Sequence, residues 1–255
     1  MTTWVSPDDA HAEAVQSGRA EARTLTEILK VDHGQLLQHV LPFAPADLVA
    51  AVREAGSLGI LTRMQTIGTA LQLHLTHETC LELTRHPSDT VRGWGWFALA
   101  AAHREEKPSA LIGIMRPAAD DPHFGVREWA WMAIRPSLAG QLRESLHALA
   151  ELTSDSSERI RRFASETLRP RGVWAKHIDA LKTNPDPGLV ILEPLRSDPA
   201  GYVQDSVANW INDASKTRPD WASALGERWR LESRTPHTER IVSRGLRSLR
   251  RHSGD

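Results

Sequence analysis

Three carboxylates in this sequence stand where they could act together on one substrate. Glu128, Glu166 and Asp213 lie two, six and ten residues after the first apolar residue of a phrase that recurs along the chain. Offsets that differ by four place side chains on one face of a helix, one turn apart. On stacked helices, such carboxylates could stabilise a developing positive charge or accept a proton. Ordinary solvated helix residues would give the same pattern, so spacing alone leaves that alternative open.

The phrase itself indicates the elements that must position these side chains. Its copies begin at Val91, Val126, Ile160, Val203 and Ile241, at spacings of 35, 34, 43 and 38 residues. The helix-start signals before the copies are Ser88, Asp121-Pro122, Asp155, Asp198-Pro199 and Thr235-Pro236. A period near 40 with a polar cap before an apolar–arginine phrase is typical of HEAT-type helical pairs. We therefore predict an all-α fold, a HEAT-like repeat α-solenoid of stacked antiparallel helical pairs.

The array predicts one domain over residues 1–255, less regular at about 1–56 and clearly repetitive at about 57–251. Predicted helices cover 8–30, 33–56, 57–74, 76–86, 88–103, 108–119, 122–138, 140–153, 156–168, 174–183, 188–196, 199–216, 219–231 and 236–251. Position three of the phrase (Trp94, Trp129, Phe163) is predicted to be core. Position five (Trp96, Trp131) must then point into a neighbouring repeat or onto the inner face, because it cannot share that helix face.

Composition excludes several classes of protein. The 255 residues carry a net charge of −1, and the single cysteine, Cys80, excludes an internal disulfide or a multi-cysteine zinc site. No apolar run approaches membrane-span length, no secretory signal is visible, and we expect a cytoplasmic, monomeric protein without membrane contact. No glycine-rich phosphate loop or metal motif is present, so no cofactor or metal is expected. Basic residues concentrate in the C-terminal half, at 155–177 and 240–251, either along one groove or on a solvated face.

Two longer strings resemble a known family. Residues 161–174 read RRFASETLRPRGVW and residues 202–216 read YVQDSVANWINDASK. Together they resemble the AlkC branch of the bacterial AlkC/AlkD HEAT-like DNA glycosylases, in which an RR-x-x-SE-x-x-RPR-x-x-W segment precedes a YV-x-x-SVAN-x-x-ND-x-SK segment by about forty residues. The string Ala133-Ile134-Arg135-Pro136 resembles that branch's EFAIRPF segment. The resemblance covers roughly residues 86–251, and the immunoglobulin-like C-terminal domain of some relatives is absent from this sequence.

The resemblance implies roles for individual residues. Glu166, Trp174 and Asp213 are expected at the lesion-binding site, with Glu166 and Asp213 catalytic. Trp131 stands where the family's EFAIRPF segment has its glutamate. Glu128, one turn earlier, could replace that carboxylate; alternatively two acids suffice, the substrate has changed, or activity is lost. The complete set of expected site residues is Glu166, Asp213 and Glu128 as catalytic, Trp174, Trp131 and Asn209 as substrate-binding, and Arg161, Arg162, Arg169, Arg171, Arg244 and Arg247 as DNA-binding.

The implied activity is excision of cationic N3- or N7-alkylpurines, such as 3-methyladenine, from duplex DNA. A cationic base already weakens its glycosidic bond, so a carboxylate need only stabilise the oxocarbenium sugar and activate water. Double-stranded DNA with alkylated bases is the expected partner, bound on the nucleoid of a bacterial cell. Two alternatives stay open, namely an inert repeat scaffold and an accessory protein that binds damaged DNA. Arg92, Arg127 and Arg161 recur at one offset, which suits a repeat-to-repeat ion pair or cap as well as a phosphate contact.

Overall fold

The computed structural model describes residues 7–252, and this part of the chain is helical without strands. Two short 3-10 helices, Glu151–Ser154 and Asp186–Gly188, accompany the α-helices. The seventeen α-helices of the described range are α1 Pro7–Gln16, α2 Leu25–Lys30, α3 His33–Val40, α4 Ala46–Ala55, α5 Ile60–His74, α6 His77–Leu83, α7 Asp89–Ala102, α8 Pro108–Ala119, α9 Phe124–Gly140, α10 Leu142–Ala150, α11 Glu158–Thr167, α12 Asp179–Thr183, α13 Leu189–Leu195, α14 Gly201–Ser215, α15 Pro219–Glu232, α16 Pro236–Gly245 and α17 Arg247–His252. None of them is long and apolar enough to cross a bilayer.

The chain forms two compact units. The N-terminal unit runs to Glu105 and includes Asp121–Ala133, and the C-terminal unit comprises Glu106–Asp120 and the residues from Ile134 onward.

Within the N-terminal unit, α5 packs against α7, and α3, α4 and α6 pack beside them. The contact between α5 and α7 is close at Gly68, where an added Cβ would lie 2.5 Å from the Cβ of Phe97. Only a residue without a side chain allows that separation. Trp94 and Trp129 are buried, as predicted for position three of the phrase, so two indoles anchor this core.

Within the C-terminal unit, the helices that carry the last three copies of the phrase pack in chain order. Helix α11 contacts α14, and α14 contacts α16. The first apolar residue of each copy (Ile160, Val203, Ile241) is buried, as is Phe163 at position three. Because equivalent positions face the same way on successive helices, the phrase produces one continuous core, as a repeat array requires.

An aspartate begins three of the copies and joins neighbouring repeats. The carboxylates of Asp121, Asp155 and Asp198 each accept a hydrogen bond from the backbone N–H two residues on, at 2.7, 2.8 and 2.8 Å. Each also accepts from an arginine of an earlier helix: Arg92 pairs with Asp121, Arg116 with Asp155 and Arg161 with Asp198. The pairs of Arg92 and Arg161 are the repeat-to-repeat contacts that their offset suggested. The other two start signals, Ser88 and Thr235, are N-caps whose hydroxyl oxygens accept from the N–H groups of Val91 and Thr238.

The largest departures from the predicted helices occur in four of them. The range 8–30 breaks after α1, where Gly18 adopts a φ of +78°, and the range 33–56 breaks between Val40 and Ala46, a segment that contains Pro42 and Pro45. Proline disfavours helix in the residue before it, so these two prolines end α3 and delay α4. The range 174–183 is helical only from Asp179, and 236–251 is interrupted at Leu246.

Candidate functional site

Two of the three predicted catalytic carboxylates meet at one arginine. Arg169 donates from Nη1 to Oε1 of Glu166 at 2.6 Å, and from Nε and Nη2 to Oδ2 of Asp213 at 3.0 and 2.8 Å. All three residues are buried, Glu166 and Asp213 at 4% exposure each. We call these three residues the carboxylate cluster. Its acids lie on α11 and α14, the packed helices of the third and fourth copies, so the shared helix face brings them together as the spacing indicated.

Two serines hold Glu166 in place. Ser206 Oγ donates to Oε2 of Glu166 at 2.6 Å, and Ser165 Oγ donates to Ser206 Oγ at 2.8 Å. Both serines are buried. The chain of hydroxyls therefore fixes the carboxylate across the contact between α11 and α14, and it explains why the serines belong to the two family-like strings.

Further cations surround the cluster. Arg162 Nη2 lies 3.7 Å from Oε2 of Glu166, and its guanidinium stacks over the ring of Tyr202 at 4.5 Å from the centroid. Lys216 Nζ lies 3.6 Å from Oδ1 of Asp213. That oxygen makes no hydrogen bond among the described residues, whereas Oδ2 accepts two. Asp213 thus has one carboxylate oxygen that accepts no hydrogen bond and faces the ammonium group of Lys216.

The pKa values of the two acids are shifted in opposite directions. Burial alone would raise the pKa of Glu166, but Arg162, Arg169 and the hydroxyl of Ser206 outweigh it, and the pKa falls below its ordinary value. For Asp213 burial dominates, and its pKa is raised despite the opposing charges of Arg169 and Lys216. Environments that push two carboxyl pKa values apart are typical of paired catalytic acids with different roles.

The segment 168–178, which we call the site loop, connects α11 to α12 and carries Arg169, Arg171 and Trp174. Trp174 is 47% exposed and adopts a φ of +58°, the one non-glycine residue of the described chain in the left-handed region. That conformation costs an L-residue roughly 1–2 kcal/mol. Arg171 Nε donates to the backbone carbonyl of Asp213 at 3.2 Å, so the loop lies against the cluster.

Arg135 connects the two ends of the site loop through hydrogen bonds to backbone carbonyls. Its Nη1 donates to the carbonyl of Thr167 at 2.7 Å, and its Nη2 to the carbonyls of Arg169 and Lys176 at 2.7 and 3.2 Å. Arg135 is 3% exposed, and burial together with the charge of Arg169 lowers its pKa to about 10. A glycine at 172 leaves room for this guanidinium, because an added Cβ would lie 3.2 Å from Arg135 Cζ.

Sequence reasoning assigned no role to Arg135. It stands in the Ala133–Pro136 string, which was noticed only as a family resemblance. The signal that could have found it is a lone arginine among apolar residues on a helix, because a buried guanidinium needs several carbonyl or carboxylate partners.

The six arginines expected to bind DNA differ in how their guanidinium groups are bonded within the protein. Arg161 bonds Asp198 and the carbonyls of Asp155 and Ser156, and Arg169 lies inside the carboxylate cluster. Arg244 and Arg247 are exposed; Arg244 pairs with Asp205, and Arg247 donates to Oδ1 of Asn209 at 2.9 Å. Arg162 and Arg171 are half-buried at the edge of the cluster. The structure thus places four of the six beside or outside the cluster and two within internal ion pairs.

Glu128 and Trp131 belong to the N-terminal unit and are joined to each other. The indole N–H of Trp131 donates to Oε2 of Glu128 at 2.8 Å. Trp131 is only 1% exposed, so neither of its ring faces is open to a base in this structure. The buried indole orients the neighbouring carboxylate, which is half-buried, and the expected role of Trp131 at the substrate stays a prediction.

No group of three or more His, Cys, Asp or Glu side chains within residues 7–252 has the arrangement of a metal site.

Comparison with solved structures places the fold beside known DNA glycosylases. An alkylpurine DNA glycosylase AlkC from Pseudomonas fluorescens, solved bound to DNA containing an abasic site analog, superposes with a TM-score of 0.68 at 28% identity, over 89% of this chain and 65% of that one. AlkD2 and smu.31, both from Streptococcus mutans, superpose at TM-scores of 0.61 and 0.59, at 18% and 19% identity, over 78% of this chain and 96% of theirs. The last two identities show the fold alone.

Among curated sequences, the Bacillus subtilis protein YhaZ, of uncharacterised function, is 40% identical over 148 residues. The match covers 58% of this chain and 38% of YhaZ, so this chain spans well under half the length of that relative and about two thirds of the AlkC chain. No family model matches. The structural comparisons confirm the predicted HEAT-like repeat α-solenoid and the resemblance to AlkC/AlkD-type glycosylases, with AlkC the more similar of the two in sequence and in structure.

Proposed function

We propose that this protein is a monofunctional DNA glycosylase that hydrolyses the N-glycosidic bond of cationic N3- or N7-alkylpurines in duplex DNA. The observation that carries the proposal is the carboxylate cluster, a buried pair of acids with opposed pKa shifts beside an exposed tryptophan. The similarity to AlkC over most of the chain supports the same class of reaction.

In this proposal the two acids divide the work. Glu166, held ionised by Arg162 and Arg169, stabilises the positive charge that develops on the sugar as the base departs. Asp213, whose pKa is raised by burial, accepts a proton from the attacking water through its available oxygen Oδ1. The C1′–N bond breaks with its electron pair going to the cationic base, which leaves neutral, and the water oxygen bonds to C1′.

Trp174 supplies a surface for the cationic base. Its ring is exposed at the edge of the site loop, and stacking of a cation on an indole contributes about 1 kcal/mol. Arg135 bonds the loop backbone on both sides of Trp174. The half-buried Arg162 and Arg171, with the exposed Arg244 and Arg247, are assigned to the phosphates of the duplex. Arg161 and Arg169 serve the protein instead, because their donors are already taken by carboxylates and carbonyls.

The deciding experiment measures release of 3-methyladenine and 7-methylguanine from methylated duplex DNA. We expect release by the wild type, and a loss of about 100-fold or more in Asp213→Asn and Glu166→Gln, because each variant keeps the shape of the side chain but loses its charge. Asp220→Asn, an exposed aspartate of the same unit, is the matched control and should retain full rate. Unchanged release in both cluster variants, with folding confirmed by thermal unfolding, would contradict the assignment.

A second candidate is recognition of damaged duplex without excision. It is favoured by Trp131, which stands where the related glycosylases have a glutamate and is buried here. In that case methylated DNA would bind with a steep salt dependence, the wild type would release no base, and Asp213→Asn would not change affinity. Binding that barely responds to salt, again without release, would indicate a protein-binding scaffold.

A further inference from the structure

The N-terminal unit contains a cavity that the proposed function does not use. It lies among α3, α4 and α5, has a volume of about 450 Å³, and is lined by ten residues that include His33, Arg53 and Arg63. All three carry N–H donors. The acid in its wall is Asp32, whose Oδ1 accepts from the N–H groups of Gly34 and Gln35 and whose Oδ2 accepts from the Gln35 amide.

His33 presents a donor without an acceptor. The indole N–H of Trp94 donates to Nδ1 of His33 at 3.0 Å, and since indole nitrogen can only donate, the proton of the neutral ring must sit on Nε2. The ring is 3% exposed, and burial together with the charge of Arg63 lowers its pKa to about 4, so it is neutral at physiological pH. Nε2 has no hydrogen-bond partner and is shielded from water by the protein.

Arg63, on α5, also has a buried N–H donor without an acceptor. Its Nη2 donates to the carbonyls of Gly56 and Leu58 at 2.8 and 3.0 Å, whereas its buried Nε–H has no partner. A buried N–H without an acceptor costs about 1–3 kcal/mol. Both residues line the same cavity, so a ligand that brings acceptor oxygens to these two donors would supply what the protein lacks.

The charge of the cavity selects the kind of acceptor. Arg53 is exposed and has no ion-pair partner among the described residues. Arg53 and Arg63 together outweigh the single carboxylate of Asp32, whose oxygens are already bonded within the chain. A guanidinium beside unpaired N–H groups binds the oxygens of phosphate or sulfate, with charge-assisted hydrogen bonds about twice as strong as neutral ones.

We propose that this cavity is an oxyanion site, which takes a phosphate group on His33 Nε2–H, Arg63 Nε–H and the guanidinium of Arg53. The phosphate is either free in solution or part of a nucleic acid backbone, since the chemistry that recognises it is the same. The site is independent of the carboxylate cluster and does not depend on the glycosylase assignment.

The test uses the full chain and inorganic phosphate, titrated at constant ionic strength against chloride. We expect saturable binding by calorimetry, a rise in melting temperature that follows the occupancy, and a shift of the ¹⁵N-histidine side-chain signal of His33. Arg63→Gln should weaken binding about ten-fold or more. Arg53→Gln, an exposed position where folding is not at risk, should weaken it less. Arg85→Gln, an exposed arginine of the same unit outside the cavity, is the matched control and should bind as the wild type does.

A second arm separates the two sources of phosphate. Undamaged duplex DNA that displaces inorganic phosphate, and binds more weakly to Arg63→Gln than to Arg85→Gln, would identify a backbone phosphate as the occupant. Phosphate binding that duplex DNA leaves unchanged would identify a free oxyanion. Absence of saturable phosphate binding in the wild type, or equal binding by Arg63→Gln and Arg85→Gln, would overturn the proposal and leave the cavity to water.

Discussion

Each unit of this protein contains a buried arginine that joins two acids, and the two triads have different surroundings. In the N-terminal unit Arg92 binds Glu21 and Asp121 and also donates to the carbonyls of His86 and Pro87. In the C-terminal unit Arg169 binds Glu166 and Asp213, both at 5% side-chain exposure, whereas Glu21 is 44% exposed. One arginine between two carboxylates therefore makes a structural joint in one unit and a candidate site in the other.

The difference lies in what else reaches the acids. Asp121 also accepts from the backbone N–H of His123, so both its oxygens are bonded. Asp213 keeps Oδ1 without a hydrogen bond among the described residues, and the site loop, which carries the exposed Trp174, bonds the backbone of Asp213 through Arg171. The C-terminal triad is therefore distinguished as a candidate site by a buried acid with an oxygen that accepts no hydrogen bond, in addition to its ion pairs.

The largest effect is expected when the arginine is removed from each triad. Arg169→Met removes the cation that two deeply buried carboxylates share, and we expect it to lower the free energy of unfolding by about 3–5 kcal/mol. Arg92→Met should cost less, about 1–3 kcal/mol, because Glu21 can turn to solvent and surface pairs are weak. Urea unfolding of both variants measures the difference. Equal losses would show that the two triads do the same structural work.

A smaller effect is expected at the support of the site loop. Arg135→Gln removes donors from three carbonyls at once, but the loop can open to water, so we expect a loss of about 2 kcal/mol. Amide hydrogen exchange should rise within 169–178 and stay unchanged in α16. Arg218→Gln, which releases the carbonyl of Thr183 and the Asp220 carboxylate elsewhere in the same unit, is the control. Exchange that rises evenly across the unit in Arg135→Gln would exclude a local clamp.

The smallest effect is expected in the pH dependence of stability, which should differ between variants of the two acids. The lowered pKa of Glu166 contributes stability above its ordinary value of 4.5, and this is lost as pH falls through the lowered value. The raised pKa of Asp213 contributes stability below 3.8, and this is lost as pH rises through the raised value. As pH rises from 3 to 7, the wild type should therefore gain stability relative to Glu166→Gln and lose stability relative to Asp213→Asn. Each change should be about 1.4 kcal/mol per unit of pKa shift. Parallel pH profiles, measured by urea unfolding, would refute the division of roles.

Periodicity predicted much of the repetitive region from Ser88 onward. The caps at Ser88 and Thr235, the buried position three and the helix face shared by Glu166 and Asp213 all follow from spacing, because helix geometry repeats along the chain. The N-terminal helices were predicted too long, since turns at Gly18 and at Pro42–Pro45 outweigh an amphipathic pattern that continues across them.

Other features depend on contacts between residues distant in sequence, which no local pattern contains. The clamp of Arg135 joins residues more than thirty positions away, and the ion pair of Arg161 with Asp198 spans 37. Whether an arginine bonds a carbonyl, a carboxylate or a phosphate is decided by that packing. For the same reason the sequence could offer two roles for Arg161 but could not choose between them.

The left-handed backbone at Trp174 has a consequence for selecting more heat-resistant variants of this protein. Glycine at this position would relieve roughly 1–2 kcal/mol of conformational energy and would also remove a large exposed apolar ring. A thermostability screen without an activity readout would therefore favour loss of the tryptophan. Variants chosen in that way would be more stable but would lack the ring to which the proposed function assigns the cationic base, so an engineering effort should hold position 174 constant.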